Sequence, residues 1–502
     1  REDSVLMQMQ ATAGVMPSYE YMDMPGMDWL RRRISSPLTP KQVGSVAAQL
    51  DKKFVISEMY AMVGWDCSPE ELKWIAQWQY VNGVNKMCQH LEAYTIKGIR
   101  KRDFPPSLFY QQSWWENYGK FNDYFARLGM ILTRGGAGAE VLLLHPMRSG
   151  WMLYDGEAEG KIADFGQRFE ELSQYLSDIH IEHHYGDEEI IKRHGNVEGN
   201  ILKIGSCSYK AVIVPEMLTM ERSTAKLLFQ FHKAGGHIYS IGEFPQYLNG
   251  EKDTLILNEL KQCTVFLDRE HIKEQLVHHL EFPVYITENK TETAGVHYQR
   301  RDDQNRQYLY IVNLNQHKKT HSLVRLPGRR HIQYYDPLTN QAAQCQASVC
   351  GDCTEVELRL NEMEGAVLVI EEGANKQQML RETEPPIYIT NGGRWDIIES
   401  ELNSMTLDQC AYRVEYGEWR EKTPTIRLMN ILLNEKKSVH VSLRFEFYME
   451  VDPLMCSELY LVSEVRERLK AHINGTYVEI EEQGFWKDKS FKKYDIRSWL
   501  QK

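Results

Sequence analysis

The residues of this sequence that could do chemistry are carboxylates and aromatic side chains that follow short apolar runs. Glu58 comes just after the run 54–56, and a helix-like pattern begins at Pro69. A β-branched run followed by an amphipathic helix is typical of a parallel βα unit, so Glu58 is predicted at the carboxyl end of a buried strand. In barrels of such units this edge carries the active site. The alternative is a carboxylate that only caps the following helix.

Two further strand ends of the same character are predicted, one before and one after Glu58. Residues 13–21 and 83–94 combine apolar positions with polar and aromatic ends. Because consecutive strands are usually neighbours in space, the polar side chains at the three ends should share one cleft. They are Asp23, Asp28, Trp65, His90, Glu92 and Tyr94, with core packing as the alternative for Trp65. Carboxylates bind hydroxyl groups and aromatic rings stack on sugar faces, so this combination favours a carbohydrate substrate.

The region that contains these residues resembles bacterial glycoside hydrolases. The matching stretches are 57–60, 64–65, 71–78, 83–90 and 100–115. They are similar to large multidomain proteins of family 106, the α-L-rhamnosidases, and more loosely to the family 2 and family 42 β-galactosidase-like enzymes. The resemblance implies a barrel followed by a flavodoxin-like domain and β-sandwich modules. It also implies an exo-acting O-glycosyl hydrolase that removes a terminal sugar from an oligo- or polysaccharide.

Such a mechanism needs two carboxyl groups, one protonated and one ionised, and Glu58 is the catalytic candidate for the ionised group. Resemblance to family 106 favours inversion and resemblance to families 2 and 42 favours retention, so both outcomes stay open. The resemblance implies no cofactor other than a divalent cation such as calcium. The alternative function is a non-catalytic carbohydrate-binding or assembly protein. The two functions differ in whether an acidic residue from an earlier strand lies within about 10 Å of Glu58.

The resemblance also predicts that the first region is the C-terminal part of a barrel. A complete (β/α)₈ barrel needs roughly 250 residues, and only about three strands fit before residue 130. They match the sixth, seventh and eighth strands. The chain is therefore expected to be a fragment of a longer enzyme, with the general acid on an earlier strand. Within the chain, Glu20 and Glu92 are the first candidates for that acid.

The predicted fold class is multidomain α/β plus all-β. The domains are a partial (β/α)₈ barrel over 1–134, a flavodoxin- or glutamine-amidotransferase-like α/β domain over 135–270, a small antiparallel β-sandwich over 271–373, and a galactose-binding-like jelly roll over 386–502. Residues 373–385 form a polar linker, and Asn474-Gly475 forms a hairpin turn. The turn after 211–214 has no nucleophilic cysteine, so the α/β domain is expected to be a scaffold or a homo-oligomer interface.

Charge and cysteine content narrow the classes of partner. A net charge of −11 argues against non-specific nucleic-acid binding, and no apolar run reaches the roughly 18 residues of a membrane span. Nine mostly scattered cysteines favour reduced thiols in a cytoplasmic protein. Cys345, Cys350 and Cys353 lack a fourth metal ligand nearby and are expected to be loop thiols. His183 and His184 are adjacent in a predicted strand and should face opposite ways.

Overall fold

A computed structural model describes residues 4–102, 104, 106–156, 160–252, 254–373, 396–434, 438–464 and 470–501. The chain divides into two compact units, the first from residues 1–94 and 102–381 and the second from residues 95–101 and 382–502. The predicted linker 373–385 lies outside the described residues from position 374 onward. Among the described helices, none is both long and apolar enough to cross a membrane.

The first unit begins with three parallel strands joined by helical crossovers. Strands β1 (Gly26–Trp29), β2 (Ile56–Met59) and β3 (Lys86–Gln89) pair in that order. The accompanying helices are α1 (Val5–Ala11), α2 (Met16–Tyr19), α3 (Leu38–Gln49), α4 (Pro69–Val81) and α5 (Tyr118–Leu132). Helices α3 and α4 each connect one strand to the next, so this part of the sheet consists of consecutive βα units as predicted.

One face of this sheet packs on the helices. Trp29 lies against Trp78 of α4, with ring centroids 4.5 Å apart. The Ser57 hydroxyl donates to the Gln79 side-chain oxygen at 2.5 Å. Both strand residues are buried, and Met59 is fully buried on the same face. Since side chains alternate along a strand, the residues between them must point to the other face.

That other face carries Asp28 of β1, Glu58 of β2 and Cys88 of β3, which are mutual register partners. Asp28 and Cys88 are exposed and Glu58 is half-buried in the described part of the chain. We call this side, defined by Asp28, Glu58 and Cys88, the open face. It corresponds to the side that faces the centre when such units close into a barrel.

The first strand lies later in the chain than the sequence predicts. Residues 13–21, expected to end a strand, contain helix α2, and the strand is Gly26–Trp29. Pro17 lies in the first turn of α2, where its missing N–H leaves no hydrogen bond unmade. Asp23 consequently precedes β1 instead of following it, whereas Asp28 lies within the strand.

A five-stranded parallel sheet follows. Its strands are β4 (Val141–Leu144), β5 (His183–Gly186), β6 (Ala211–Val214), β7 (His237–Ser240) and β8 (Val265–Phe266). Their spatial order, β5-β4-β6-β7-β8, is the 2-1-3-4-5 order of flavodoxin-like folds. Strands β4 and β6 consist of buried apolar residues throughout, as strands covered on both faces require. The helices are α6 (Met147–Leu153), α7 (Lys161–Asp178), α8 (Glu188–His194), α9 (Arg222–Lys233), α10 (Thr254–Gln262) and α11 (Ile272–Leu276).

Smaller elements complete this α/β region. A three-stranded antiparallel sheet is formed by Gly195–Glu198, Ile201–Ile204 and Cys207–Tyr209. A short parallel pair joins Thr219–Met220 to Tyr247–Leu248. Short 3₁₀ turns of the first unit lie at Trp115–Asn117 and Arg269–His271, and another spans Gly98–Arg102, of which 98–101 belong to the second unit.

Two antiparallel sheets then pack around a second apolar core. The six-stranded sheet has the order Gln341–Gln344, Arg330–Asp336, Gly365–Glu372, Arg306–Asn313, Val296–Asp303 and Gly136–Ala137. The five-stranded sheet has the order Thr291–Glu292, Tyr285–Glu288, Thr320–Pro327, Cys353–Leu360 and Ala347–Cys350. Ile286, Leu309, Val324 and Leu368 are fully buried between the sheets. Helix α4 anchors this region, since Trp74 donates to the Leu314 carbonyl at 2.9 Å.

In the second unit, the residues that the structure describes form small antiparallel sheets and one helix. Its strands are Gln409–Val414, Arg420–Pro424 and Val441–Arg444, then Tyr460–Ser463, Glu482–Trp486 and Asp488–Asp495, and finally the hairpin of Ala471–Ile473 and Thr476–Val478. The helix is α12 (Thr425–Leu433), and 3₁₀ turns lie at Pro453–Met455 and Arg497–Trp499. Asn474 and Gly475 both have positive φ, 49° and 84°, so the predicted two-residue hairpin turn is confirmed. The predicted jelly roll stays a prediction.

Candidate active site

Glu58 lies where the open face meets the carboxyl end of the parallel sheet. It is the third residue of β2, and its side chain is 41% exposed. Its Oε1 atom lies 4.0 Å from the Nε2 atom of His90, which follows β3 directly. The carboxylate is therefore within reach of both solvent and a titratable ring.

Asp28 is the nearest strand neighbour of Glu58 on the side of β1. The two residues are register partners in parallel strands and share the open face. Adjacent strands lie about 4.8 Å apart, so the two side chains begin within a few ångströms of each other. An acidic residue from an earlier strand is thus present within the roughly 10 Å that a two-carboxylate mechanism needs.

His90 is held in place from two sides. Its backbone N–H donates to the Met59 carbonyl at 2.8 Å, and its ring stacks on Phe104 with centroids 6.5 Å apart and planes 30° apart. Its Nδ1 atom is buried and has no hydrogen-bond partner among the described residues. The ring therefore presents Nε2, and not Nδ1, to Glu58.

The loop after β2 turns sharply away from Glu58. Tyr60 is fully buried and has a φ of +78°, a conformation that costs a non-glycine residue about 1 kcal/mol or more. Burial raises the pKa of its hydroxyl well above the usual range. Ala61 ties this loop to the preceding one, because its carbonyl accepts from the Arg31 N–H at 2.7 Å. The surrounding loops thus fix the backbone that follows Glu58.

The other predicted residues after β2 and β3 lie in loops. Trp65 is half-buried and packs edge-to-face on Phe109, with centroids 5.9 Å apart. Glu92 and Tyr94 are exposed, and Tyr94 is 98% exposed. Burial raises the pKa of the Glu92 carboxyl, the direction that suits a general acid. These three residues follow strand ends at the predicted edge. Asp28 and His90 are the direct neighbours of Glu58.

Glu20 and Asp23 do not belong to this group. Glu20 accepts hydrogen bonds from Arg193 at 2.5 Å and from His194 at 2.7 Å, both on α8. Burial acts to raise the pKa of Glu20, but these hydrogen bonds outweigh it and lower the pKa. Glu20 is therefore a poor general acid. Asp23 lies before β1, on the amino side of the sheet, because the segment expected to be a strand is helical.

Two residues near this group are absent from the sequence prediction. Phe104 supports the His90 ring from a loop, and a loop residue carries no periodic signal. Cys88 is the register partner of Glu58 in β3. The alternation of β3 places Cys88 and His90 on the same side, so this signal was present in the sequence.

Some polar groups of the α/β region have partners within the protein. At the carboxyl edge between β4 and β6, where folds of this order bind ligands, the Ser149 hydroxyl accepts from the Leu218 and Thr219 N–H groups at 2.9 and 3.1 Å. His145, after β4, contacts the Gln42 amide nitrogen at 3.0 Å. This edge is therefore engaged in packing against the first three-stranded region.

The paired histidines of β5 also have structural partners. The His183 ring lies 2.9 Å from the Ser173 hydroxyl, and the His184 ring lies 2.9 Å from the Tyr209 hydroxyl. Among the described residues, no three His, Cys, Asp or Glu side chains group so as to hold a metal ion.

Comparison with known proteins shows which solved structures the fold resembles. No family model and no curated protein matches the chain. The structure is similar to a rhamnosidase from Novosphingobium sp. PP1Y, with a TM-score of 0.56 and 17% identity over 80% of this chain and 38% of that one. It is also similar to a β-galactosidase from Bacillus circulans sp. alkalophilus, with a TM-score of 0.50 and 10% identity over 70% of this chain and 61% of that one. The chain thus spans less than two thirds of either protein and has a glycoside hydrolase-like fold.

Proposed function

We propose that the open face forms part of the active site of a glycoside hydrolase. The observation that carries the proposal is the placement of Asp28 and Glu58 as register partners on one accessible face of a parallel sheet. Hydrolysis of a glycosidic bond needs two carboxyl groups on either side of the bond, and this pair supplies them within one chain. The similarity in fold to a rhamnosidase and a β-galactosidase supports the same class of reaction.

Each residue of the site has a distinct role in the proposal. Glu58 is the ionised carboxylate that attacks the sugar or activates water, and Asp28 is the second carboxyl group. His90 orients Glu58 through its Nε2 atom. Trp65, Glu92 and Tyr94, in the loops beyond the strands, contact the sugar rings, with Glu92 as the alternative proton donor.

The proposed substrate is the terminal sugar of an oligo- or polysaccharide, with an α-L-rhamnoside as the first choice. Sugars of this size differ by single hydroxyl or methyl groups, each of which changes binding by only about 1–3 kcal/mol. A panel of glycosides is therefore needed to assign the sugar. Proton NMR of the product anomer then distinguishes inversion from retention.

The test compares carboxylate variants of the whole chain on 4-nitrophenyl glycosides, whose good leaving group reduces the need for a general acid. Glu58→Gln keeps the shape of the side chain and removes its charge, so kcat/KM should fall by about 10³-fold or more, equivalent to about 4 kcal/mol of transition-state stabilisation. Asp28→Asn should lose little kcat/KM on these substrates and about 10²-fold or more on glycosides with a poor leaving group, which need the proton donor. Glu70→Gln, an exposed carboxylate in the first turn of α4, is the matched control and should retain full activity.

The outcomes separate the two classes of function. Near-normal turnover by Glu58→Gln would refute the assignment of Glu58. Saturable binding of a sugar by the wild-type chain, without turnover of any glycoside in the panel, would support a non-catalytic carbohydrate-binding protein instead. In that case the same variants should weaken sugar binding measured by calorimetry.

A further inference from the structure

Two of the three clustered cysteines flank a tight turn at an edge of the sandwich. Cys350 ends the strand Ala347–Cys350 and Cys353 begins the strand Cys353–Leu360, so only Gly351 and Asp352 separate them. Gly351 has a φ of +61° while Asp352 has no positive φ, the pattern of a type II′ hairpin turn with glycine first. The turn therefore fixes which residues of the two strands stand opposite each other.

Cys350 and Cys353 are direct register partners in this antiparallel pair. Residues directly opposite in such a pair project to the same face, with Cα atoms about 4.5–5.5 Å apart. A disulfide requires a Cα separation of about 4.4–6.8 Å. The Cα separation expected for this pair thus lies within the range that a disulfide requires.

The two thiols lie on the solvent side of the sheet. Cys350 is exposed and Cys353 is half-buried, whereas Thr354, the next residue, points into the core. Arg325, on the adjoining strand, lies on the same side of the sheet. It pairs with Glu355, and its charge interacts with both thiols. A small molecule can therefore reach the pair, and the strand that carries Cys350 is an edge strand.

Cys345 provides a contrast within the same sequence cluster. It lies beside the six-stranded sheet, because its N–H donates to the Ile332 carbonyl of that sheet at 3.1 Å. Burial raises the pKa of its thiol to about 11, which disfavours the reactive thiolate. The three clustered cysteines thus divide into one half-buried thiol that packs against the core and one pair on the solvent side.

We propose that Cys350 and Cys353 form a reversible dithiol–disulfide pair that exchanges with small-molecule disulfides of the glutathione type. The exposed Cys350 thiolate attacks the small disulfide, which forms a mixed disulfide and releases one small thiol. Cys353 then attacks the Cys350 sulfur and releases the second small thiol. In total, two protein thiols lose two protons and two electrons, and one small disulfide is reduced to two thiols.

The test exposes the folded chain to glutathione buffers that range from reducing to oxidising, followed by acid quench, alkylation in denaturant and peptide mapping. In the oxidising buffers, the number of alkylated cysteines should fall from nine to seven, and one peptide should contain the Cys350–Cys353 bond. Adding excess reduced glutathione should restore all nine. An internal bond in a single peptide is recognised by the loss of two hydrogen masses.

Three variants complete the test. Cys353→Ser should stop at the mixed disulfide and keep one glutathione on Cys350, while Cys350→Ser should form no internal bond. Cys263→Ser, in the α/β region, is the control and should form the pair like the wild type. Nine alkylated cysteines after oxidation of the folded wild-type chain, or a bond from either residue to Cys345, would overturn the proposal. The wild-type map decides this even if a variant folds poorly.

Discussion

The pairing of Glu58 with His90 differs from two buried histidine–carboxylate pairs of this chain. His180 lies 2.5 Å from Glu292 and His297 lies 3.0 Å from Asp178, and both of these histidines are buried. Both pairs are within hydrogen-bond distance, which is typical of buried polar groups that stabilise a fold. Glu58, at 4.0 Å and 41% exposed, keeps its oxygen atoms available to a ligand. A loose and accessible pair is what an active site requires before substrate binds.

At the scale of single residues, we predict the effect of replacing His90 with an aromatic residue that has no ring nitrogen atoms. His90→Phe keeps an aromatic ring stacked on Phe104 but cannot interact with the Glu58 carboxylate. Glycosidase kcat/KM should fall by about 10- to 100-fold, within the range typical for supporting residues. Steady-state kinetics on 4-nitrophenyl glycosides would measure the loss.

The chain offers a matched control for that variant. His321 also faces a carboxylate, Glu357, at 3.2 Å, but on the exposed surface of the sandwich. His321→Phe should leave the kinetics unchanged. A normal kcat/KM in His90→Phe would contradict the role given to His90.

At the scale of elements, α5 is fitted closely against the start of β3. Tyr80 of α4 packs edge-to-face on Phe125 of α5, with centroids 5.1 Å apart. Gly129 faces the chain before β3, and a Cβ atom built there would lie far inside van der Waals contact with the Asn85 carbonyl oxygen. Gly119, on the same helix, has open space around the corresponding position. Alanine substitutions at the two glycines therefore distinguish the effect of helix propensity from the effect of packing.

We predict opposite effects for alanine at these two positions. Alanine is favoured over glycine in a helix by about 1 kcal/mol, so Gly119→Ala should be neutral or stabilising by about 0.5 kcal/mol. Gly129→Ala gains the same propensity but must displace backbone, and overpacking of this kind costs about 1–3 kcal/mol or more. Urea unfolding of both variants would give the comparison. A Gly129→Ala variant as stable as the wild type would show that α5 can shift away from β3.

At the scale of the whole molecule, buried titratable groups set the dependence of stability on pH. Burial lowers the pKa of His145 to about 3 and that of His184 to about 3. Both rings are neutral in the folded chain, whereas in the unfolded chain they gain a proton below about pH 6.5. Each therefore lowers the free energy of unfolding as pH falls from 6.5 toward 3. Glu188 acts in the opposite sense, because burial raises its pKa to about 8 and its contribution is lost as pH rises from 4.5 through 8.

We predict that replacing His145 or His184 reduces the fall in the free energy of unfolding at acid pH. His184→Asn keeps an acceptor for the Tyr209 hydroxyl and removes the titration. Between pH 7.5 and pH 5.5 the variant should lose about 1.4 kcal/mol less stability than the wild type. Denaturant unfolding at the two pH values would measure the loss of stability in each protein. The wild type and the variant share the carboxylates that act in the opposite sense, so those contributions cancel in the difference between the two proteins. The exposed His278→Asn is the control, and a His184→Asn curve parallel to the wild type would contradict the prediction.

The sequence by itself determined those parts of the fold that depend on local chemistry. The four-residue apolar runs of β4 and β6 could be identified as buried parallel strands, because a strand covered on both faces needs apolar residues throughout. Asn474-Gly475 could be assigned to a hairpin turn, because few residues other than asparagine and glycine adopt positive φ easily. Glu58 could be placed in a strand that precedes a helix for the same local reason. The helical state of 16–19 was missed because four residues are too few to show a period.

Only the tertiary structure decided which of the predicted polar residues meet. Asp28 and Glu58 are thirty positions apart, and their alignment depends on the register that α3 imposes when it packs β1 beside β2. The stacking of His90 on Phe104 depends on a loop, where no periodicity links a residue to its neighbour in space. The same holds for Glu20, whose partners Arg193 and His194 come from a different region of the chain. Local sequence fixes φ, ψ and alternation, but contacts between distant segments follow from how whole elements pack, and that is where the candidate site is assembled.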